Sequence, residues 1–142
     1  MRKKTIQDIR AFNRWYTDVI GLLNRHLLDS DYSLAEARLI FEINKAAHIQ
    51  ASQLMEILHI DKSYLSRILQ KLEKDRVVAR KRSPEDARAV LVALTDKGQR
   101  EFAALNNASD EQIVELLHPL TEEQREELVD HMNAIMNLLT TK

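Results

Sequence analysis

Apolar side chains recur along this chain with the 3.6-residue period of helices almost everywhere, and with the period of strands in one place. Ile9, Phe12, Tyr16, Val19, Ile20, Leu23 and Leu27 follow i, i+3, i+4, i+7 spacing, which predicts a long amphipathic helix over about 5–28. Ser33 stands three residues before Glu36, a capping-box signature, and opens a helix with Leu39, Ile40, Ile43 and Ala47 on its apolar face. A short helix follows around ASQLMEILH, with Leu54, Ile57 and Leu58 inward. Asp61 is a good N-cap for the next, whose Leu65, Ile68, Leu69 and Leu72 bury one face. The period then changes. VVARKR and AVLVAL, on either side of SPED, predict a hairpin over about 77–82 and 89–94 with a charged tip. Thr95 can cap a long helix supported by Phe102, Leu105, Ile113, Leu116 and Leu117 and ending near His118-Pro119. Thr121 and Gln124 form another capping box, before a terminal helix lined by Leu128, Met132, Ile135 and Leu139. The predicted class is mainly α with a two-stranded β-wing.

Composition narrows this picture. The chain has 142 residues, 44% hydrophobic and 30% charged, as ordinary globular proteins are. Only two Gly and two Pro interrupt it, which suits long helices. It has no cysteine, which excludes disulfides, thiolate zinc sites and cysteine redox sensing. No apolar run reaches the roughly 20 residues of a membrane span, and the basic start MRKKTIQDIR precedes no signal-like apolar stretch, so a cytoplasmic protein with no membrane partner is expected. Charge is unevenly placed. Residues 61–100 carry a net +5 and residues 101–142 a net −7. A basic middle suggests a polyanionic partner, and a solvated surface with uneven charge is the plainer alternative.

The order of elements gives that charge a use. A short helix, a tight turn and a polar-faced helix make a helix-turn-helix, and a hairpin directly after makes it winged. Lys62, Ser63, Tyr64, Ser66, Arg67 and Gln70 lie off the apolar stripe, on a surface without an acid until Glu73. Arg pairs with guanine, Gln with adenine and Ser with either, while small serines permit close approach to a major groove. Tyr64 can touch a thymine methyl or a phosphate. A merely solvated helix face more often mixes Glu and Lys at i, i+4. On the hairpin, Arg80, Lys81, Arg82 and Arg88 can meet phosphates or a narrow minor groove. Asp86 can accept from backbone amides at the tip or pair with an arginine and hold its fork.

The stretch DKSYLSRILQKLEKDRVVARKRSPEDARAVLVALTDKG resembles the core signature of MarR-type regulators: recognition helix, wing with D-x-R, then L-T-x-x-G. The likeness covers about 50–100 in order, and the flanking helices extend it over nearly the whole chain. LSRIL followed by RSPEDAR looks especially like the regulator half of MarR–acetyltransferase fusions, with no acetyltransferase expected after Lys142. The resemblance implies a single MarR-like chain over 1–142, with a winged-helix DNA-binding lobe at 33–97 and a helical dimerisation lobe from 1–30 and 98–142. It implies a homodimer on a pseudo-palindromic operator, expected to repress transcription. Ser63, Tyr64, Ser66 and Arg67 match recognition-helix contact positions, and Asp86 and Arg88 match the wing motif. It also implies a cleft for a small aromatic or anionic effector, for which Phe12, Trp15, Tyr16, His26, Arg38 and Phe41 are candidates; aromatics at helical spacing are more often core. Two positions depart from the pattern. Arg76 stands where the family usually ends the recognition helix with Gly, and Ala87 stands between Asp86 and Arg88.

Other chemistry has little support. The five His show no H-x-x-x-H spacing, and there is no glycine-rich phosphate loop or nucleophile elbow, so neither metal, cofactor nor enzyme activity is expected. Ile113, Leu116, Leu117, Leu120, Leu128, Met132, Ile135, Met136, Leu138 and Leu139 are many apolar residues for a tail, which argues independently for a symmetric partner. The rival function is a winged-helix interaction module that regulates a partner enzyme without specific DNA binding, its acidic tail being the partner surface.

Overall fold

The computed structural model describes residues 1–21 and 30–140. Among the described residues, six helices and three strands run in the order α1 (Lys3–Val19), α2 (Leu34–Ala46), β1 (His48–Gln50), α3 (Ala51–Leu58), α4 (Lys62–Lys74), β2 (Val78–Arg82), β3 (Val90–Leu94), α5 (Asp96–Leu117) and α6 (Glu122–Thr140). The chain divides into two compact units, Met1–Asn106 and Asn107–Lys142.

In the first unit, the apolar stripes of α2, α3 and α4 converge on one face of a small sheet. Leu39, Ile40, Ile43, Leu54, Leu69, Leu72, Val77 and Val92 are fully buried there. Leu65 and Ile68 extend the core along α4, and Leu105 joins it from α5. Tyr32 is also buried, and burial together with the nearby Glu101 carboxylate pushes its hydroxyl pKa up to about 12. The sheet is antiparallel in the order β1-β3-β2. Its β2–β3 pair is the predicted hairpin, in register Val78 to Leu94 and Arg82 to Val90. The third strand, β1, goes beyond the two that the pattern predicts. Three residues cannot declare a strand by alternation, and His48–Gln50 is extended because Ile49 pairs with Val92 and is buried against it.

Three apolar expectations are corrected. The first helix ends at Val19, capped by Ile20, and Gly21 takes φ 71°, a left-handed exit from the helix; residues 22–28 of the expected span lie outside the described residues. The predicted positions Leu23 and Leu27 lie outside the described residues. Ala47 is exposed rather than on the apolar face of α2, because it forms the C-cap at φ 68°. Ile57 is 41% exposed, since α3 has only eight residues and Leu54 and Leu58 supply its buried contacts.

The end of α4 answers the question raised by Arg76. This residue adopts φ 62°, the conformation that a glycine would take there. The Arg76 amide donates to the Glu73 carbonyl at 3.0 Å and the Val77 amide to the Leu72 carbonyl at 2.8 Å. That is a complete Schellman motif, with Val77 and Leu72 both fully buried as its apolar contact. The left-handed conformation costs a non-glycine residue about 1–2 kcal/mol. Arg76→Gly is therefore expected to raise stability by about 0.5–1 kcal/mol, after allowance for the greater freedom of glycine in the unfolded chain. Urea denaturation would measure it, and a loss of stability would show that the arginine side chain contributes more than its backbone costs.

The second unit is simpler. Thr121 and Gln124 form the predicted capping box at the start of α6, with reciprocal bonds of 3.0 and 3.1 Å. Arg125 reaches back from α6 to the carbonyls of Leu117 and His118 at the end of α5. No residue of α6 is buried.

Candidate nucleic-acid interface

The recognition helix is set up by its N-cap. The Asp61 carboxylate accepts from the Tyr64 amide at 2.7 Å, so the free amides of the first turn are partly satisfied and the helix starts at Lys62. Leu65, Ile68, Leu69 and Leu72 anchor the inner face. That orientation leaves Lys62, Ser63, Tyr64, Arg67 and Gln70 exposed, with Ser66 half-buried beside them. The Arg67 guanidinium sits 5.6 Å from the centre of the Tyr64 ring, a cation–π contact that limits how far this long side chain can wander.

Behind this face lies a cleft of about 330 Å³ lined by Ser33, Glu36, Tyr64, Arg67, Ile68 and Lys71. At its base the Lys71 ammonium donates to Glu36 at 2.5 Å. Glu36 is only 7% exposed and also accepts from the Ser33 amide at 2.9 Å, closing the capping box of α2. Burial works to raise the Glu36 pKa, but the bonds from Lys71 and Ser33 outweigh it and hold the carboxyl below its ordinary value. The same carboxylate raises the pKa of Lys71. One acid thus caps α2 and ties it to the recognition helix. Sequence reasoning found the cap, which is local, and missed the tie, which spans 35 positions.

The wing is anchored at its root and shaped at its tip. At the root, the Thr95 amide donates to the Val77 carbonyl at 3.0 Å, and its hydroxyl donates to the Arg76 carbonyl at 2.6 Å. The Thr95 hydroxyl also accepts from the Gly98 amide at 3.0 Å, and Lys97 donates to the Asp75 carbonyl at 2.8 Å. L-T-x-x-G is therefore a clamp that joins the start of α5 to the end of α4. At the tip, the Asp86 carboxylate accepts from the Arg88 amide at 2.9 Å, while the Asp86 carbonyl accepts from the Ala89 amide at 3.0 Å. Of the two roles open to Asp86, the structure gives it the backbone one. Ala87 has no positive φ, so its place in the tip does not require glycine. Lys81, Arg82 and Arg88 are exposed, and Arg82 and Arg88 form no ion pair among the described residues. Arg80 differs: its guanidinium is bound to the carboxylate of Glu73 on α4.

The effector candidates fall into separate groups. Phe12, Trp15 and Tyr16 stack on one another along α1, with Phe12 and Tyr16 nearly parallel at 5.4 Å. Phe41 meets Phe102 at 6.3 Å, and Arg38 is exposed on α2. None of these five lines the cleft beside the recognition helix. His26 lies outside the described residues.

Known proteins share this arrangement. The model of the MarR family matches residues 30–89. An uncharacterized HTH-type transcriptional regulator of Bacillus subtilis, YdgJ, is 30% identical over 105 residues, covering 74% of this chain and 64% of that protein. The multiple antibiotic resistance protein MarR of Escherichia coli is 36% identical over 77 residues, 54% of each chain. The chain thus spans less than two thirds of the length of either relative. Over the whole fold, a crystal structure of a mutant E. coli MarR complexed with operator DNA superimposes with a TM-score of 0.74 at 26% identity, covering 93% of this chain and 95% of that one. Over residues 30–89 this chain is similar to the MarR family, and it builds that stretch as a winged helix-turn-helix.

Proposed function

We propose that the protein is a sequence-specific DNA-binding transcriptional regulator that acts as a homodimer on a near-palindromic operator, with repression as its mode. The observation that carries this reading is the exposed face of α4. Ser63, Tyr64, Arg67 and Gln70 point outward from a helix held rigidly on its other side, beside a wing that exposes Lys81, Arg82 and Arg88. Such a surface suits base edges and phosphates together. The family consists of DNA-binding regulators rather than enzymes. In this proposal, residues 33–97 form the DNA-binding lobe, and 1–30 with 98–142 form the dimerisation lobe. Support for the dimer comes from apolar surface that a single chain leaves uncovered: Ile113, Val114, Leu116, Val129, Ile135, Met136, Leu138 and Leu139 are all more than a third exposed.

Selection of genomic fragments with the purified protein tests this. Recovery of one shared palindrome, its half-sites about one DNA turn apart, is expected. Affinity for that duplex should fall steeply with salt, by a log–log slope of about −0.9 for each phosphate contact. Arg67→Ala should lose about 1–3 kcal/mol of discrimination at one base position and little elsewhere. Recovery of no common sequence, with co-purification of a protein, would favour the interaction module instead.

A further inference from the structure

Glu73 is the first acid on the outer surface of the recognition helix, and a carboxylate there works against a polyanion. Its partner explains its presence. Along β2 successive side chains alternate between the two faces of the sheet. Val78 is buried against the core, so Arg80 emerges on that same face, over the last turn of α4, where Glu73 meets it. Lys81 takes the opposite face. The pair crosses from recognition helix to wing just beyond the Schellman turn at Arg76, and only these side chains bridge the two elements there by an ion pair among the described residues.

We infer that Glu73 and Arg80 are positioning residues that set the angle of the wing to the recognition helix, and that Arg80 is not a phosphate contact. The inference rests on the DNA-binding reading and reassigns one of its residues. Both side chains are about one-third exposed, so the pair adds little to global stability. Its effect is geometric. Arg82 and Arg88 lie farther out on the same hairpin, and a small rotation at its base displaces them from the phosphates they would meet.

The two assignments predict opposite signs for one variant. If Arg80 bound phosphate and Glu73 merely stood nearby, Glu73→Ala would remove a repulsive charge and tighten binding. If the pair sets the wing, Glu73→Ala should weaken binding to the duplex selected by the unaltered protein by about three- to sevenfold. Arg80→Ala should weaken it to a similar degree, the double variant should be no worse than either, and the salt slope should stay that of the unaltered protein. Amide exchange of the wing without DNA gives a second readout: the Ser83 and Ala89 amides, which donate to the Ala89 and Asp86 carbonyls, should exchange faster in Glu73→Ala, while those of α2 should not change. Tighter binding by Glu73→Ala, or a slope shallower by about 0.9 per subunit in Arg80→Ala alone, would overturn the inference. Should the unaltered protein select no duplex, the DNA-binding reading fails by itself. Unchanged wing exchange in Glu73→Ala would then overturn the positioning role separately.

Discussion

Gly98→Ala is expected to cost about 3 kcal/mol or more, lowering the thermal midpoint by about 10 °C. A Cβ built at this position would lie 2.1 Å from the Val77 carbonyl oxygen and 3.1 Å from the Leu94 side chain. Relief by a side-chain rotation is not open, because the first obstacle is backbone. That carbonyl cannot easily retreat, since it accepts from the Thr95 amide at 3.0 Å and from the Thr95 hydroxyl at 3.2 Å. Val77 itself is fully buried and ends the Schellman turn of α4. Pushing α5 away would open the clamp that joins the wing root to the recognition helix. DNA affinity should therefore fall further than the stability loss explains, measured well below the melting transition. A variant that melts and binds as the unaltered protein does would show that α5 can move freely from the end of α4.

Glu36 carries the second large effect. Glu36→Ala removes the acceptor for both the Ser33 amide and the Lys71 ammonium, and should cost about 2–3 kcal/mol. Glu36→Gln is the informative companion. Glutamine can still close the capping box but cannot neutralise Lys71, so its cost isolates the ion pair. The two also differ in pH dependence. Because the folded protein holds the Glu36 carboxyl below its ordinary 4.5, it binds fewer protons there than the unfolded chain does. The stabilisation is thus fully present above pH 4.5 and is lost as pH falls through the lowered folded value. Denaturant titrations at several pH values should show a gap between the unaltered protein and Glu36→Gln that is constant near neutrality and closes in acid. A gap that persisted unchanged into strong acid would mean that the charge of Glu36 contributes nothing.

Much of this was legible in the residues because it is local. Helix starts were readable at Ser33, Asp61 and Thr121, where one side chain bonds an amide three residues on. The hairpin was readable from two β-rich runs around a charged tip. The burial of Leu65, Ile68, Leu69 and Leu72 followed from the helical period, and with it the outward face of Ser63, Arg67 and Gln70. The family likeness added the expectation of glycine at the end of α4, and Arg76 takes the left-handed conformation without it. What was not legible depends on meetings between distant positions. β1 exists only because Ile49 finds Val92. Ile57 had the spacing of a core residue, yet in the short α3 the buried contacts come from Leu54 and Leu58.

The charged residues divide along the same line. Sequence by itself determined which elements form and which surface of α4 is polar, because amphipathic period and capping act within a few residues. Tertiary structure alone decided which charges are free for a partner. Glu36 takes Lys71, Glu73 takes Arg80, and Asp86 takes a backbone amide, while Arg82 and Arg88 remain outward. Composition counts all of these as equivalent. Coulomb attraction falls with distance, so a charge acquires its role only when folding sets its nearest neighbour.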